Sequence, residues 1–130
     1  MENTNKKVMI VDDDQFLIDM YSLKFKKEGF DVEAATKGEE ALEKLRGGFD
    51  PDIILLDVVM PSLDGIGLLE KIRQEKFANK ATVIMLTNQG QKSDIDRANK
   101  LGVDGYIIKA TTIPSEAVAK VVDIYNKNNK

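Results

Sequence analysis

Five short apolar runs punctuate the chain, and longer segments with helical spacing of their apolar residues separate them. The runs are Val8-Met9-Ile10-Val11, Val32 to Ala35, Ile53-Ile54-Leu55-Leu56, Val83-Ile84-Met85-Leu86 and Tyr106-Ile107-Ile108. The first, third and fourth are unbroken, as strands buried on both faces of a parallel sheet are. The second is mixed and predicts an edge strand. Between the runs, residues 15–28 predict a helix with Phe16, Met20 and Leu23 on one stripe, Leu17, Tyr21 and Phe25 beside it, and Gly29 as its stop. Residues 37–46 carry Ala41, Leu42 and Leu45 and end at Gly47-Gly48. Residues 65–75 carry Ile66, Leu69 and Ile72, with Asp64 placed as N-cap. Residues 93–101 form a polar segment with only Ile95, Ala98 and Leu101 to bury, ended by Gly102. Residues 114–125 carry Ala117, Val118, Val121, Val122, Ile124 and Tyr125, with Pro114 in the first turn. Five alternating β-α units predict an α/β fold: a doubly wound, five-stranded parallel sheet with helices on both faces. Periodicity does not give the strand order. It does say where a site belongs, at the carboxyl ends of the strands.

The residues at those ends are chemically suggestive. Asp12, Asp13 and Asp14 follow the first run, Asp57 the third, Thr87 the fourth and Lys109 the fifth. In a parallel sheet they share one edge and converge on one pocket. Clustered carboxylates raise one another's pKa unless a cation sits among them. With hard oxygen ligands and no His or Cys, the set favours Mg²⁺ over zinc or copper. A dication, a lysine and a hydroxyl are what an incoming phosphoryl group requires, and a central carboxylate can be its nucleophile. Each residue alone also has a plain structural use, and Asp14, just before a helix, is a candidate N-cap.

Composition narrows the classes. At 130 residues, 42% hydrophobic and 32% charged, the chain suits one globular domain (1–130), with polar tails at about 1–6 and 126–130. A net charge of −3, with nothing more basic than Lys6-Lys7 or Lys26-Lys27, argues against nucleic-acid binding by the domain itself. No cysteine means no disulfide, zinc-thiolate or thiol chemistry. No histidine means no Ser-His-Asp triad, and phosphohistidine chemistry would need a partner. No apolar stretch approaches the ~18 residues of a membrane span, and the polar start lacks a signal-peptide core, so a cytoplasmic place is expected.

Four stretches together resemble the receiver domain of two-component response regulators, over essentially the whole length. They are Val8 to Asp13; Ile54-Leu55-Leu56-Asp57-Val58-Val59-Met60-Pro61 with Asp64-Gly65; Val83 to Thr87; and Gly102 to Lys109. The resemblance implies a flavodoxin-like fold with five helices and strand order 2-1-3-4-5, an order for which receivers are a type example. It implies Asp57 as phosphoacceptor, Asp12 and Asp13 as the acidic pair for Mg²⁺, and the Val59 carbonyl as a further metal ligand. It implies Thr87 and Lys109 as the residues that sense the phosphate, and Tyr106 as an aromatic switch. The partners implied are a histidine kinase or histidine phosphotransfer protein as donor and a downstream target protein. The polar fourth helix, Tyr106 and the last helix make the expected output face, which could also support a phosphorylation-dependent homodimer. A stand-alone effector, a phosphorelay intermediate and a receiver fragment of a larger regulator all fit.

Some positions depart from the pattern. Ala110 stands where the family usually has a cis proline; a cis bond before alanine costs about 2.5–4 kcal/mol, so a trans bond and a different loop are expected. Asp14 adds a third acid, either near a metal-bound water or as a cap. Val59 and Gln89 flank the site, and an apolar Val59 cannot position an attacking water, which predicts a long-lived acyl phosphate. Two other classes share the fold. An aspartyl-phosphate phosphatase wants a second acid two residues after the nucleophile, where this chain has Val59. A nucleotide or flavin domain wants glycines after the first strand, where this chain has three acids. Gly65-Ile66-Gly67-Leu68-Leu69-Glu70 half-resembles a dinucleotide fingerprint but lacks its third glycine and does not directly follow a strand; it reads as a loop and helix start.

Overall fold

The computed structural model describes residues 6–60, 63–87 and 92–128, with the backbone alone for 92–94. Pro61 and Gln89, both singled out above, lie outside the described residues. The elements are β1 (Lys7–Val11), α1 (Gln15–Lys27), β2 (Asp31–Ala35), α2 (Gly38–Arg46), β3 (Ile53–Asp57), α3 (Gly65–Glu75), β4 (Thr82–Thr87), α4 (Lys92–Lys100), β5 (Gly105–Ile108) and α5 (Pro114–Asn128). A single 3₁₀ turn, Lys109–Thr111, separates β5 from α5. The sheet is parallel throughout, in the order β2-β1-β3-β4-β5. β2 is an edge strand, as its mixed sequence predicts.

Strand periodicity divides the core in two. Met9, Val11, Ile54, Leu56, Val83 and Met85 face one side, with α2, α3 and Ala98 of α4 packed on them. Val8, Ile10, Ile53, Leu55, Ile84 and Leu86 face the other, under α1 and α5. β3 and β4 are buried at every residue, which accounts for their unbroken apolar sequence.

Two expectations need correction. The buried face of α1 is Ile18 with Tyr21 and Phe25 of the expected second stripe, whereas Phe16 and Leu23 of the leading stripe are 68% and 52% exposed. The apolar residues of this helix spread over more than half of its circumference, so two stripes satisfy helical spacing equally well. The phase is set instead by the short Asp12–Asp14 entry from β1, where the Asp14 carboxylate accepts from the backbone N–H groups of Phe16 (3.0 Å) and Leu17 (3.4 Å). The second correction concerns the expected end of the last helix at 125: α5 continues to Asn128, whose Nδ2 donates to Thr82 Oγ1 at 3.3 Å. Asp64 caps α3 as expected, accepting from Gly67 N at 2.7 Å. No helix among the described residues is long and apolar enough to cross a membrane.

Candidate functional site

Adjacent strands bring the acids together. Val11 of β1 is in register with Leu56 of β3, so Asp12 and Asp57 each stand one step further along neighbouring strands. Both are buried, at 0% and 3% exposure, while Asp13 is exposed. One carboxylate oxygen from each of Asp12, Asp13 and Asp57 lies within 4.8 Å of the others. Lys109, at the end of β5, extends its Nζ to 3.0 Å from Asp12 Oδ2 and 3.4 Å from Asp57 Oδ2. Backbone groups add to the set: Asp14 N donates to Asp12 Oδ1 (2.9 Å), and Val59 N donates to Asp57 Oδ1 (3.4 Å).

The charges explain what this cluster wants. Burial pushes the Asp57 carboxyl up to about 7, the Asp12 carboxylate adds to the rise, and Lys109 with the Val59 N–H only partly opposes it. Burial works to lower Lys109, but its hydrogen bond to Asp12 and the charges of Asp57 and Asp12 outweigh it and hold the ammonium above the ordinary lysine range. Three carboxylates against one ammonium leave a deficit of positive charge. The donors are all oxygen, close together and partly open to solvent, so the residues fit a small hard dication such as Mg²⁺.

Beside the acids opens a cleft of about 400 Å³. Asp13, Asp57 and Lys109 form its polar wall, and Leu17, Val59 and Ala110 its apolar one. Val59 is 64% exposed there. The Lys109–Ala110 peptide is trans, in line with alanine at 110. Asp14 borders the cleft, but its carboxylate is spent on the α1 cap and is not one of the clustered acids.

Thr87 and Tyr106 sit to one side. Thr87 is nearly buried, pairs with Ile108 across β4 and β5, and lines a second cavity of about 520 Å³ with Ile95, Tyr106, Ile108, Thr112 and Lys120. Tyr106 is half-buried, and its hydroxyl contacts Ile95 O (3.2 Å) and the Asn99 side chain, both on α4. So the strand ends gather Asp12, Asp13, Asp57 and Lys109 directly, with Thr87 and Tyr106 lining the neighbouring cavity.

Two residues escaped the reading of the sequence as site elements. Tyr21 is buried on α1 within the field of the site: burial pushes its phenol up, Lys109 works against that, and Asp12, Asp57 and Asp14 work with it. Gly65 begins α3 hard against the end of β3, where an added Cβ would meet Asp57 O at 2.1 Å. The Asp64-Gly65 pair was its visible signal; Tyr21 had none apart from the phase of α1.

A parallel sheet in the order β2-β1-β3-β4-β5 with acids buried at its carboxyl edge is the arrangement expected of a receiver domain, and known proteins share it. The family model of the response regulator receiver domain matches residues 8–121. The chain belongs to that family. It is 36% identical over 124 residues to the alkaline phosphatase synthesis transcriptional regulatory protein PhoP of Bacillus subtilis, covering 95% of this chain and 50% of PhoP. It is 35% identical over 119 residues to the chemotaxis protein CheY of Halobacterium salinarum, covering 90% of this chain and 97% of CheY. A CheY-like receiver domain structure from Methanospirillum hungatei superposes with a TM-score of 0.85 at 27% identity, covering 97% of this chain and 98% of that one. The chain spans about half the length of the transcriptional regulators it matches.

Proposed function

We propose that Asp57 accepts a phosphoryl group from the phosphohistidine of a partner histidine kinase or histidine phosphotransfer protein. In this reading Asp12, Asp13, Asp57 and the Val59 carbonyl hold Mg²⁺, and the acyl phosphate alters the surface offered to a downstream target. The observation that carries it is the placing of Lys109 within 3.4 Å of two buried carboxylates from neighbouring strands, at the wall of an open cleft.

The steps follow from these groups. An Asp57 carboxylate oxygen forms the bond to phosphorus as the phosphorus–nitrogen bond breaks, and the leaving imidazole keeps that electron pair. Asp57 must be ionised to attack, which burial beside Asp12 opposes. When bound, Mg²⁺ supplies positive charge that offsets the carboxylates and the phosphoryl oxygens. Lys109 donates to those oxygens as charge gathers on them. The Thr87 hydroxyl then turns to the phosphoryl group and Tyr106 follows, biasing an existing two-state equilibrium. The domain thereby catalyses its own phosphorylation and no separate turnover. Such a donor places it in the cytoplasm.

The test is labelling by acetyl phosphate with and without Mg²⁺, read by intact mass. One phosphoryl group is expected per chain, dependent on Mg²⁺ and lost in Asp57→Ala. No adduct, or an adduct unchanged in Asp57→Ala, overturns the reading.

A further inference from the structure

The fourth helix is loosely seated. Of its described side chains only Ala98 is buried, with Ile95 half-buried, and Leu101 just beyond its end is also half-buried. What fixes α4 is polar. Arg73 of α3 reaches the carbonyls beyond its C-terminal end, with Nε 3.1 Å from Leu101 O and Nη2 3.5 Å from Gly102 O. One turn further back, the Tyr106 hydroxyl meets Ile95 O and the Asn99 side chain.

The donor count decides what Asn99 contributes. A phenol has one proton, and a helical carbonyl has a second lone pair to accept it. The single phenol proton is therefore shared between two acceptors, Ile95 O and Asn99 Oδ1. Asn99 and Ile95 then hold the hydroxyl from both sides. Burial, followed by the Asp96 charge, pushes the Tyr106 phenol up, so it remains a donor at neutral pH.

We propose that Asn99 is a latch: it positions Tyr106 against α4 in the unphosphorylated domain, so that phosphorylation of Asp57 must break this contact to switch the surface. This rests on the phosphoacceptor reading above. Thr87 and Tyr106 border one small space with Val58, Met85, Ile95 and Ala98, and that space admits no water. When Thr87 moves toward a phosphoryl group it vacates volume on the Tyr106 side. The ring fills that volume only by withdrawing its hydroxyl from Ile95 and Asn99. A ligand shifts a conformational equilibrium only by its differential affinity for the two states, so whatever holds the starting state weakens apparent binding.

The test is the affinity of the full chain for fluoroberyllate at saturating Mg²⁺, followed by NMR, for the parent, Asn99→Ala, Tyr106→Phe and the double variant. Asn99→Ala is expected to tighten binding about three- to tenfold, and to change nothing once Tyr106 is phenylalanine. Unchanged or weakened affinity in Asn99→Ala overturns the latch, as does an equal effect with and without the phenol. Failure of the parent to form an adduct overturns the phosphoacceptor reading, and the latch with it. An adduct in the parent with no Asn99 effect overturns the latch alone.

Discussion

The Lys109 ammonium stands nearer to Asp12, at 3.0 Å, than to Asp57, at 3.4 Å. The lysine is therefore shared: it compensates the acid that would help hold a metal as well as the acid that would accept phosphate. Lys109→Met separates these effects. Mg²⁺ binding is expected to tighten a few-fold, because a neighbouring positive charge is removed. Labelling by acetyl phosphate is expected to fall about 10²-fold, the usual cost of losing one donor to a charged transition state. Calorimetry and the labelling rate read the two separately; a parallel loss of both would mean that Lys109 only maintains the fold.

The raised Asp57 pKa fixes a sign for stability. The folded carboxyl titrates at about 7 against an ordinary 3.8, so the folded state holds this proton more tightly than the unfolded chain. Where the folded state binds more protons, stability falls as pH rises. The contribution is full below about 3.8, is lost progressively up to about 7 and stays lost above it. Metal-free Asp57→Asn is therefore expected to exceed the parent by up to about 4 kcal/mol at alkaline pH, or on the order of 10 °C in melting temperature. The gap closes near pH 4 and on adding Mg²⁺ to the parent. Urea melts at several pH values check it, and a constant gap would assign the stabilisation to something other than this titration.

The corrected phase of α1 gives a pair of contrasting substitutions. Phe25 is fully buried with its ring 5.7 Å from that of Phe30, so Phe25→Ala is expected to cost about 3–5 kcal/mol. Phe16 is 68% exposed, and Phe16→Ala should stay within about 0.5 kcal/mol of the parent. Phe16 precedes Leu17 of the cleft wall in α1, so on the proposed function it is a candidate contact for a phosphohistidine protein docking over Asp57. Transfer from such a donor is expected to slow in Phe16→Ala while labelling by acetyl phosphate is kept; equal slowing of both would remove the docking role.

How far the sequence could be read depended on which kind of information each feature uses. Asp57 and Lys109 were legible because a parallel sheet puts every strand end on one edge, whatever the strand order. The order itself came with the family likeness. The face of α1 was half legible: Tyr21 and Phe25 stood on the neighbouring stripe, but Ile18 was missed and Phe16 and Leu23 were put on the leading one, because Phe16-Met20-Leu23 and Ile18-Tyr21-Phe25 have equally good spacing and only the turn from β1 chooses. Asn99 gave no signal at all: its contact with Tyr106 depends on how a polar helix docks, which apolar periodicity does not describe.

Val59 tests the lifetime of the acyl phosphate. Its side chain is 64% exposed at the cleft, with no group to orient a water, while its N–H is engaged with Asp57 Oδ1. Val59→Asn places an amide there and is expected to speed phosphate loss several-fold without changing the Asp57 backbone contact. The decay of phosphorylated chain after removal of donor measures this, and equal rates would refute it.

Gly65 is the sharpest steric prediction. Its N–H donates to Val58 O at 2.9 Å, and a Cβ there would lie 2.1 Å from Asp57 O and 2.9 Å from Asp57 C. Glycine to alanine ordinarily stabilises a helix by up to about 1 kcal/mol. At this position the added atom meets backbone of a fully buried strand, which cannot swing aside as a side chain can. Gly65→Ala is therefore expected to destabilise by about 1–3 kcal/mol, the range for overpacking. It is also expected to weaken Mg²⁺ binding, because the end of β3 carries Asp57 and Val59 with it. Gly67→Ala is the control two residues along the same helix. Its Cβ would meet only side-chain atoms, Leu63 Cδ1 at 3.1 Å and Asp64 Oδ1 at 3.2 Å, which can give by a few tenths of an ångström. Denaturant melts and Mg²⁺ titrations of the two variants decide the matter: if Gly65→Ala behaves like Gly67→Ala in both, the close approach of α3 to Asp57 does not position the acceptor.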